Sequence, residues 1–223
     1  MCTNFQPSTP AIIQEQFSCK LNFDYPKETW KGYIAPIIRL QNSQRIAEPA
    51  SFGLIPPWCK SAIDAKKLSA GTMNARSETV AEKPSFKSAW RNSHYCLVPM
   101  QRFYEPCYES GKAVRYSLSM ASGADFCAAG IWSWWVNPET QQGSASFSML
   151  TLNADEHPVL KRLHKPDDEK RSLFIVPAGD YDQWLHASPE KARLMLSLLP
   201  PERYVLAPAL QRASTSVSQN QIF

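Results

Sequence analysis

The sequence lacks the features that would mark a secreted or membrane protein. Residues 1–20 are polar and contain no apolar segment of the kind found in a secretory signal peptide. No window approaches the roughly 20 apolar residues that a transmembrane helix needs. Long runs of like charge are missing too, so no disordered basic arm is expected. We therefore expect a soluble intracellular protein.

Recognisable metal-binding and disulfide patterns are also missing. The six cysteines lie at positions 2, 19, 59, 96, 107 and 127, with no CxxC motif and no histidine at metal-ligand spacing. A structural zinc site is built from four such ligands, so we expect no metal and no other cofactor. Because disulfides persist mainly in secreted proteins, the thiols are expected to be free and reduced.

Glycine is scarce and proline abundant, with 8 and 18 residues in a chain of 223. Hydrophobic residues make up 43% and charged residues 20%, which is an ordinary globular balance with enough chain for a substantial core. The net charge of +4 allows a polyanionic partner without requiring one. Without internal repeats or a long linker, the sequence predicts a single domain over residues 1–210 and a polar tail over 211–223.

Short apolar and aromatic runs separated by turn formers predict six strands: Tyr95–Pro99, Ala113–Met120, Phe126–Trp135, Ser146–Leu152, Leu173–Val176 and Tyr204–Leu206. Helix signals are fewer. Ser188 followed by proline and glutamate predicts a helix start, and Pro84–Trp90 predicts a shorter helix. The pattern predicts an α+β fold with a β-rich, mostly antiparallel, barrel-like core and a few peripheral helices.

The chain begins MCTNF, which places a cysteine directly behind the initiator methionine. Removal of Met1 would leave Cys2 with a free α-amine and a thiol on neighbouring carbons. Ordinary pKa values of about 8 and about 8.5 leave a useful fraction of both groups reactive at neutral pH. A cysteine at this position usually has no special role, so the stretch alone predicts no function.

Four further stretches combine polar and aromatic side chains that could support chemistry: FGLIPPWCK at 52–60, MNARSET at 73–79, CLVPMQRFYEP at 96–106 and HPVLKRLHKPDDEKRSLFIV at 157–176. Each has an ordinary structural interpretation. Trp58 could be a core residue, and Arg76 and Glu78 a solvated pair. Glu105 could be an exposed strand end and His164 a loop histidine. None of these stretches is diagnostic alone.

Taken in order, the stretches resemble the SRAP (SOS-response-associated peptidase) family. The resemblance covers residues 2 to about 210 and rests on Cys2 followed by GLIPPW, NARSET, CLVP…RFYEP, YESGKAVRY, AGIWSWW, SMLTLNADEHP and RLHKPDDEKR. It implies a DNA-repair enzyme that crosslinks covalently to abasic sites in single-stranded DNA. The implied partner is such a strand, and the expected protein is a cytoplasmic monomer, nucleoid-associated in a bacterium.

The implied chemistry explains the position of the cysteine. The aldehyde of a ring-opened abasic site would condense with the amine of Cys2 to an imine, and the thiolate would then attack the imine carbon. The five-membered thiazolidine that results needs an amine and a thiol two carbons apart. An N-terminal cysteine provides that arrangement.

The resemblance also implies roles for individual side chains. Asn74 would position the reacting groups, Glu105 would move protons during ring opening and imine formation, and His164 would be a second proton carrier or a sugar-binding group. Arg76 would hold a backbone phosphate through its planar fork. Trp58 would offer a stacking surface, worth ~1–3 kcal/mol if a base stacks there.

Further DNA contacts are expected at positions where the sequence departs from the family pattern: Asn4, Pro36, Pro106, Lys165 and Arg171. Asn4 stands where the family often has arginine, so one phosphate contact is missing. Pro36 lies in a shortened segment, GYIAPI. Pro106 stands where some members have a tryptophan wedge, which leaves a preference for a single-strand/double-strand junction open. Lys165 or Arg171 would supply the charge of the arginine that usually follows the loop histidine.

Two other functions remain compatible with these residues. One is a cysteine autopeptidase or N-terminal-nucleophile hydrolase that uses Cys2. Acyl transfer would need an oxyanion hole and a peptide cleft, and the sequence reveals neither. The other is a non-covalent single-stranded DNA-binding module in which Cys2 is incidental.

Overall fold

The computed structural model of the chain describes residues 2–209, which contain twelve strands in one sheet and five α-helices. The strands are β1 (Asn4–Pro7), β2 (Thr29–Trp30), β3 (Ile34–Gln41), β4 (Gln44–Phe52), β5 (Asn74–Arg76), β6 (Tyr95–Cys107), β7 (Val114–Met120), β8 (Phe126–Val136), β9 (Gly143–Asn153), β10 (Arg171–Leu173), β11 (Ile175–Val176) and β12 (Tyr204–Pro208). The helices are α1 (Pro10–Phe17), α2 (Ala62–Ser69), α3 (Lys87–Arg91), α4 (Tyr181–Leu185) and α5 (Pro189–Met195).

Five strands close into a barrel. Strand β6 pairs with β8, β8 with β9, β9 with β4 and β4 with β3, and β3 returns to β6 where Ile38 pairs with Leu97. The β4–β9 pairing is parallel and the other four are antiparallel. Closure pairs the backbone groups that an open sheet would leave exposed at its edges. The predicted β-rich, barrel-like α+β fold is confirmed.

Both faces of β6 are buried in its first half, where the strand forms part of the barrel. Cys96 and Val98 point into an inner cluster in which the rings of Phe52 and Phe147 stack with centroids 5.2 Å apart. The intervening Leu97 belongs to a second, outer cluster that the helices cover. Because a side chain on either face of β6 is buried, the segment CLVPM is continuously apolar rather than alternating.

Helix ends follow the sequence signals where those signals are strong. The Ser188 side chain accepts a hydrogen bond from the backbone N–H of Lys191, with Pro189 in the first turn of α5, as predicted. Thr9 caps α1 in the same way, with Pro10 in the first turn. Outside the barrel, the indole N–H of Trp184 in α4 donates to the Cys96 carbonyl at 2.9 Å and fixes that helix on β6.

The second half of β6 extends beyond the barrel and carries the region that bears the predicted site. There Phe103 pairs with Phe5 of β1 on one side and with Leu118 of β7 on the other. Cys2 lies two residues before the first residue of β1, and Glu105 lies two residues beyond Phe103. The N-terminal strand and the predicted acid are therefore brought to the same end of the barrel.

The six predicted strand regions and both predicted helix regions are present, with different ends. The region 173–176 forms two short strands, β10 and β11, and the helix expected from residue 84 begins at Lys87. The sequence did not predict β1–β5, α1, α2 or α4. The predicted tail over 211–223 lies outside the described residues.

Candidate active site

Cys2 is buried at the start of β1, with 1% of its surface exposed. Its thiol donates a hydrogen bond to the Asn4 carbonyl, with 3.4 Å between sulfur and oxygen. Burial raises the pKa of this thiol, and the nearby charge of Glu105 raises it further. The thiol is therefore protonated at neutral pH, so nucleophilic attack needs a proton acceptor close by.

Asn74 lies on β5, whose backbone is held by parallel pairing with β9. Its Nδ2 donates to the carbonyl oxygen of Cys2 at 2.7 Å, across 72 residues of sequence. Its Oδ1 is buried and has no hydrogen-bond partner among residues 2–209. A buried acceptor left unsatisfied costs about 1–3 kcal/mol, so this oxygen is a ready site for an N–H donor.

Glu105 lies inside β6, paired with Tyr116 of β7, and is 5% exposed. The ordinary structural interpretation, in which Glu105 is an exposed strand end, is therefore wrong. Burial raises the pKa of this carboxyl to about 7. Near neutral pH both its protonation states are populated, which is the condition for efficient general acid and base catalysis.

His164 is held in a left-handed backbone conformation, with φ of 67°, and its backbone N–H donates to the Pro106 carbonyl at 2.7 Å. Its Nε2 lies 2.9 Å from the carbonyl oxygen of Arg171. Because a carbonyl only accepts, Nε2 carries the proton and Nδ1 of the neutral ring is an acceptor. Burial lowers the pKa of His164, which favours this neutral form.

The Nδ1 atom of His164 faces Glu105 at 3.5 Å from Oε2. A protonated Glu105 can donate to the neutral ring across this gap, and an ionised Glu105 can accept from the protonated ring. The distance exceeds an ordinary hydrogen bond, as is common at sites that tighten only around a substrate. The two side chains can thus share one proton.

A cleft of about 660 Å³ opens beside this pair. It is lined by Thr3, Asn4, Trp30, Tyr104, Glu105, Pro106, Tyr108, Ala113, Arg115, His164, Lys165 and Asp168. Three of the predicted DNA-contacting residues, Asn4, Pro106 and Lys165, are among them. Lys165 is exposed, whereas Asn4 is buried and donates from Nδ2 to the Thr29 carbonyl at 3.0 Å.

Four other predicted DNA-contacting residues lie outside the lining of this cleft. Trp58 is 51% exposed and borders a separate groove of about 610 Å³ that also contains Lys60 and Lys67. Pro36 is buried in β3, opposite Pro49 of β4. The Arg76 side chain is half exposed and forms an ion pair with Glu169 at 2.7 Å.

Arg171, the fourth, has a side chain that is only 3% exposed. Its guanidinium donates to both carboxylate oxygens of Glu78, at 3.0 and 2.8 Å, and to Glu169 and the Thr151 carbonyl, each at 2.7 Å. These bonds anchor β10, whose first carbonyl orients His164. A DNA contact from this side chain would require them to break. They also separate Glu78 from Arg76, which the ordinary interpretation of NARSET had paired.

The sequence reading missed Arg115, a cleft residue on β7. Its Nη2 donates to Asn4 Oδ1 at 2.5 Å and forms an ion pair with Glu28, and its guanidinium lies 3.6 Å from the ring centroid of Tyr104. These contacts join the strand that follows Cys2 to the strand that carries Glu105. Because Asn4 and Glu28 lie 111 and 87 residues away, no local pattern could have revealed them.

Residues 2–209 contain no candidate metal site and no helix that could span a membrane. No three histidine, cysteine, aspartate or glutamate side chains of this range are gathered as a metal site would require. No helix of the same range is long and apolar enough to cross a membrane. All six cysteines are buried thiols outside any disulfide.

The chain is similar to proteins that are named for abasic site processing. The chain is 28% identical over 152 residues to the abasic site processing protein YoaM of Bacillus subtilis, which covers 67% of this chain and 61% of that protein. It is 42% identical over 64 residues to the abasic site processing protein HMCES of Rattus norvegicus, covering 29% of this chain and 18% of that protein. The chain thus matches about three fifths or less of the length of these relatives.

Solved structures share the fold over nearly the whole chain. A crystal structure of a protein from Bordetella bronchiseptica has 32% identity and a TM-score of 0.88, covering 94% of this chain and all of that one. A protein from Bacteroides thetaiotaomicron, at 22% identity, superposes with a TM-score of 0.81 over 93% of this chain and 91% of that one. The family model for SOS response associated peptidase matches residues 1–219, and the chain therefore belongs to the SOS response associated peptidase (SRAP) family.

Proposed function

We propose that this protein processes abasic sites by forming a covalent thiazolidine crosslink between Cys2, after removal of Met1, and the ring-opened sugar in single-stranded DNA. The observation that carries the proposal is the meeting of residues far apart in sequence. Asn74 holds the Cys2 carbonyl at 2.7 Å, and Glu105 faces His164 at 3.5 Å beside an open cleft. The names of the relatives, which are abasic site processing proteins, support the same function.

Each step of this reaction moves a proton that the buried carboxyl of Glu105 could carry. Ring opening moves a proton from the C1′ hydroxyl to the ring oxygen, and imine formation releases the aldehyde oxygen as water. Thiazolidine closure moves the thiol proton to the imine nitrogen. Glu105, with a pKa of about 7, can donate in one step and accept in another, and His164 can hold the proton between steps.

Asn74 is proposed to orient the aminothiol. Its Nδ2 already fixes the carbonyl of Cys2, and its Oδ1 is a buried acceptor with no partner among the described residues. Once Met1 is removed, this oxygen could accept a hydrogen bond from the free α-amine of Cys2. Holding the amine in one orientation would favour attack on an aldehyde delivered through the cleft.

Contacts to the strand are proposed on both sides of the reacting residues. Lys165, Asn4 and Pro106 border the cleft, and Arg76 lies two residues after Asn74 with its side chain half exposed. Trp58 offers an exposed ring in the neighbouring groove, where a base could stack. A strand held in this way would be positioned by its backbone, without base readout.

A denaturing gel with an abasic single strand tests the proposal. We expect a heat-stable adduct with the processed protein and none with an undamaged strand, with the N-terminus confirmed by intact mass. An uncleavable residue before Cys2 should abolish the adduct, because the resulting amide cannot form an imine. Cys2→Ser should give only an adduct that requires borohydride trapping.

Three outcomes would contradict the mechanism. If a protein that retains Met1 crosslinks equally well, the amine of Cys2 is not needed and the reaction is that of the thiol alone. Binding of the strand without any adduct would leave a non-covalent DNA-binding module. Cleavage of a peptide substrate with no adduct would favour a hydrolase that uses Cys2 for acyl transfer.

A further inference from the structure

Glu169, in the loop that precedes β10, forms ion pairs with Arg76 and with Arg171. We propose that Glu169 is a built-in competitor for DNA, whose carboxylate occupies the guanidinium of Arg76 where a backbone phosphate would bind. Glu169 would thereby weaken the non-covalent binding of single strands. The inference rests on the phosphate contact of Arg76 in the function proposed above.

The geometry places the carboxylate directly on the predicted phosphate site. Arg76 ends β5, two residues after Asn74, and its Nη1 lies 2.7 Å from Glu169 Oε2. Asp168, which precedes Glu169, lines the cleft. A carboxylate and a phosphate present similar anionic oxygens to the same guanidinium donors, so the two compete.

Glu169 is held in this position by other contacts. Its Oε1 accepts from Arg171 Nη1 at 2.7 Å and from Asn153 Nδ2 at 3.2 Å. Arg171 is itself buried and bound by Glu78. The hydrogen bond from Arg171 lowers the pKa of Glu169, so the carboxylate stays ionised at neutral pH. An incoming phosphate therefore meets a fixed negative charge.

The proposed competition would help to select damaged strands. Exposed ion pairs are weak and are screened by salt, so Glu169 would reduce DNA binding without preventing it. An undamaged strand would then leave quickly, because only non-covalent contacts hold it. A strand with an abasic site would be retained by the covalent step.

Glu169→Gln tests the competition, since glutamine keeps the size of the side chain and an acceptor for Arg171. We expect an undamaged single strand to bind about 3–10-fold more tightly at low salt. The plot of log Kd against log salt should become steeper by up to about 0.7, the value for one more phosphate contact. The gain should shrink as salt increases.

Asp167→Asn is the matched control, because it removes the same charge from an exposed position of the same loop. We expect it to change the affinity less than about twofold. An equal gain from both variants would show a general charge effect and overturn the inference. Unchanged or weaker binding by Glu169→Gln would also overturn it, since Glu169 would then be neutral or would preorganise Arg76.

Arg76→Ala separates this inference from the function on which it rests. If Arg76 binds a phosphate, its removal should weaken binding, and Glu169→Gln should have no effect in that background. If Arg76→Ala leaves binding unchanged even in the Glu169→Gln background, the proposed phosphate contact fails and the competition fails with it. Thermal unfolding of each variant checks the fold, and Glu169→Ser replaces the glutamine variant if that variant is unstable.

Discussion

Burial of single side chains sets the acid–base chemistry of the candidate site. The same loss of solvent that raises the pKa of Glu105 to about 7 lowers the pKa of His164. Burial thus favours the neutral form of both groups, a protonated carboxyl beside a neutral ring, and the Arg171 carbonyl fixes the ring so that its acceptor nitrogen faces the acid. The proton of the carboxyl therefore has an acceptor beside it.

Replacing Glu105 by glutamine should slow crosslinking or its reversal by about 10²–10⁴-fold, because the variant keeps the shape and loses the titratable group. The rate of the parent protein should change near pH 7, and this dependence should vanish in the variant. The measurement is single-turnover crosslinking across pH. His164→Ala should cause a smaller loss. Parent-like rates in both directions would make Glu105 a structural residue.

The same substitution should stabilise the fold at alkaline pH. The pKa of Glu105 rises from 4.5 to about 7 on folding, so the native state binds its proton more tightly than the unfolded chain. Stability from this group is complete below about pH 4.5 and is lost as pH rises to about 7. A shift of this size corresponds to roughly 3 kcal/mol.

Urea unfolding of the parent and of Glu105→Gln at pH 5 and pH 8 measures this difference. The free energy of unfolding of the variant minus that of the parent should be larger at pH 8 than at pH 5. An identical difference at both pH values would mean that the carboxyl ionises as freely as in the unfolded chain.

Short elements at the N-terminus depend on contacts that come from distant strands. Strand β1 spans Asn4–Pro7 and pairs with only two residues of β2, so its start would otherwise fray. Arg115 of β7 binds the side chain of Asn4 and stacks on Tyr104 of β6. The start of β1, two residues after Cys2, is thus held by a cation that lies far away in the sequence.

Arg115→Ala should loosen the start of β1 and slow crosslinking about tenfold, because the aminothiol would no longer be held in one position. Hydrogen exchange of the β1 amides should become faster. Arg45→Ala is the matched control, since Arg45 pairs with Asp182 and lies near the Phe17 ring, away from the cleft residues. Equal exchange of β1 in both variants would contradict this role for Arg115.

The sequence predicted those elements whose signals are local. The apolar run at residues 95–99 and the capped start at Ser188 are visible in a few neighbouring letters, and both elements formed there. The length of β6 was underestimated, because Gln101, Arg102 and Glu105 interrupt the apolar run and Pro106 disfavours a central strand. Strand β1 is four residues long and is defined by its partners, which no local pattern contains.

The site residues were predicted by resemblance, and their contacts came only from the fold. The motifs named Asn74, Glu105 and His164, but the pairing of Glu105 with His164 depends on a loop that returns to β6 at Pro106. The partners of Arg76 could not be read from NARSET either. Both ion pairs of that segment reach across the chain, to Glu169 and Arg171.

At the scale of the whole molecule, a closed barrel leaves few charges to bind a polyanion. The net charge is only +4, and several cations are already paired, including Arg171 with two carboxylates and Arg162 with Glu109. Lys165, which is exposed at the cleft, and Arg76, which is half exposed and paired with Glu169, are the local groups best placed to meet phosphates. Binding to undamaged strands should therefore be weak.

Affinity for undamaged single strands should fall with salt, with a slope of about 0.7 for each phosphate neutralised. Two contacting cations, Lys165 and Arg76, would give a total of about 1.4, and less if Glu169 keeps Arg76 paired. Because phosphate contacts carry no base information, strands of different sequence should bind alike. Fluorescence anisotropy with oligothymidine and a mixed-sequence strand, each titrated at several salt concentrations, measures both quantities. A preference above about tenfold for one sequence, together with no salt dependence, would show that the protein recognises bases directly and does not bind mainly through the backbone.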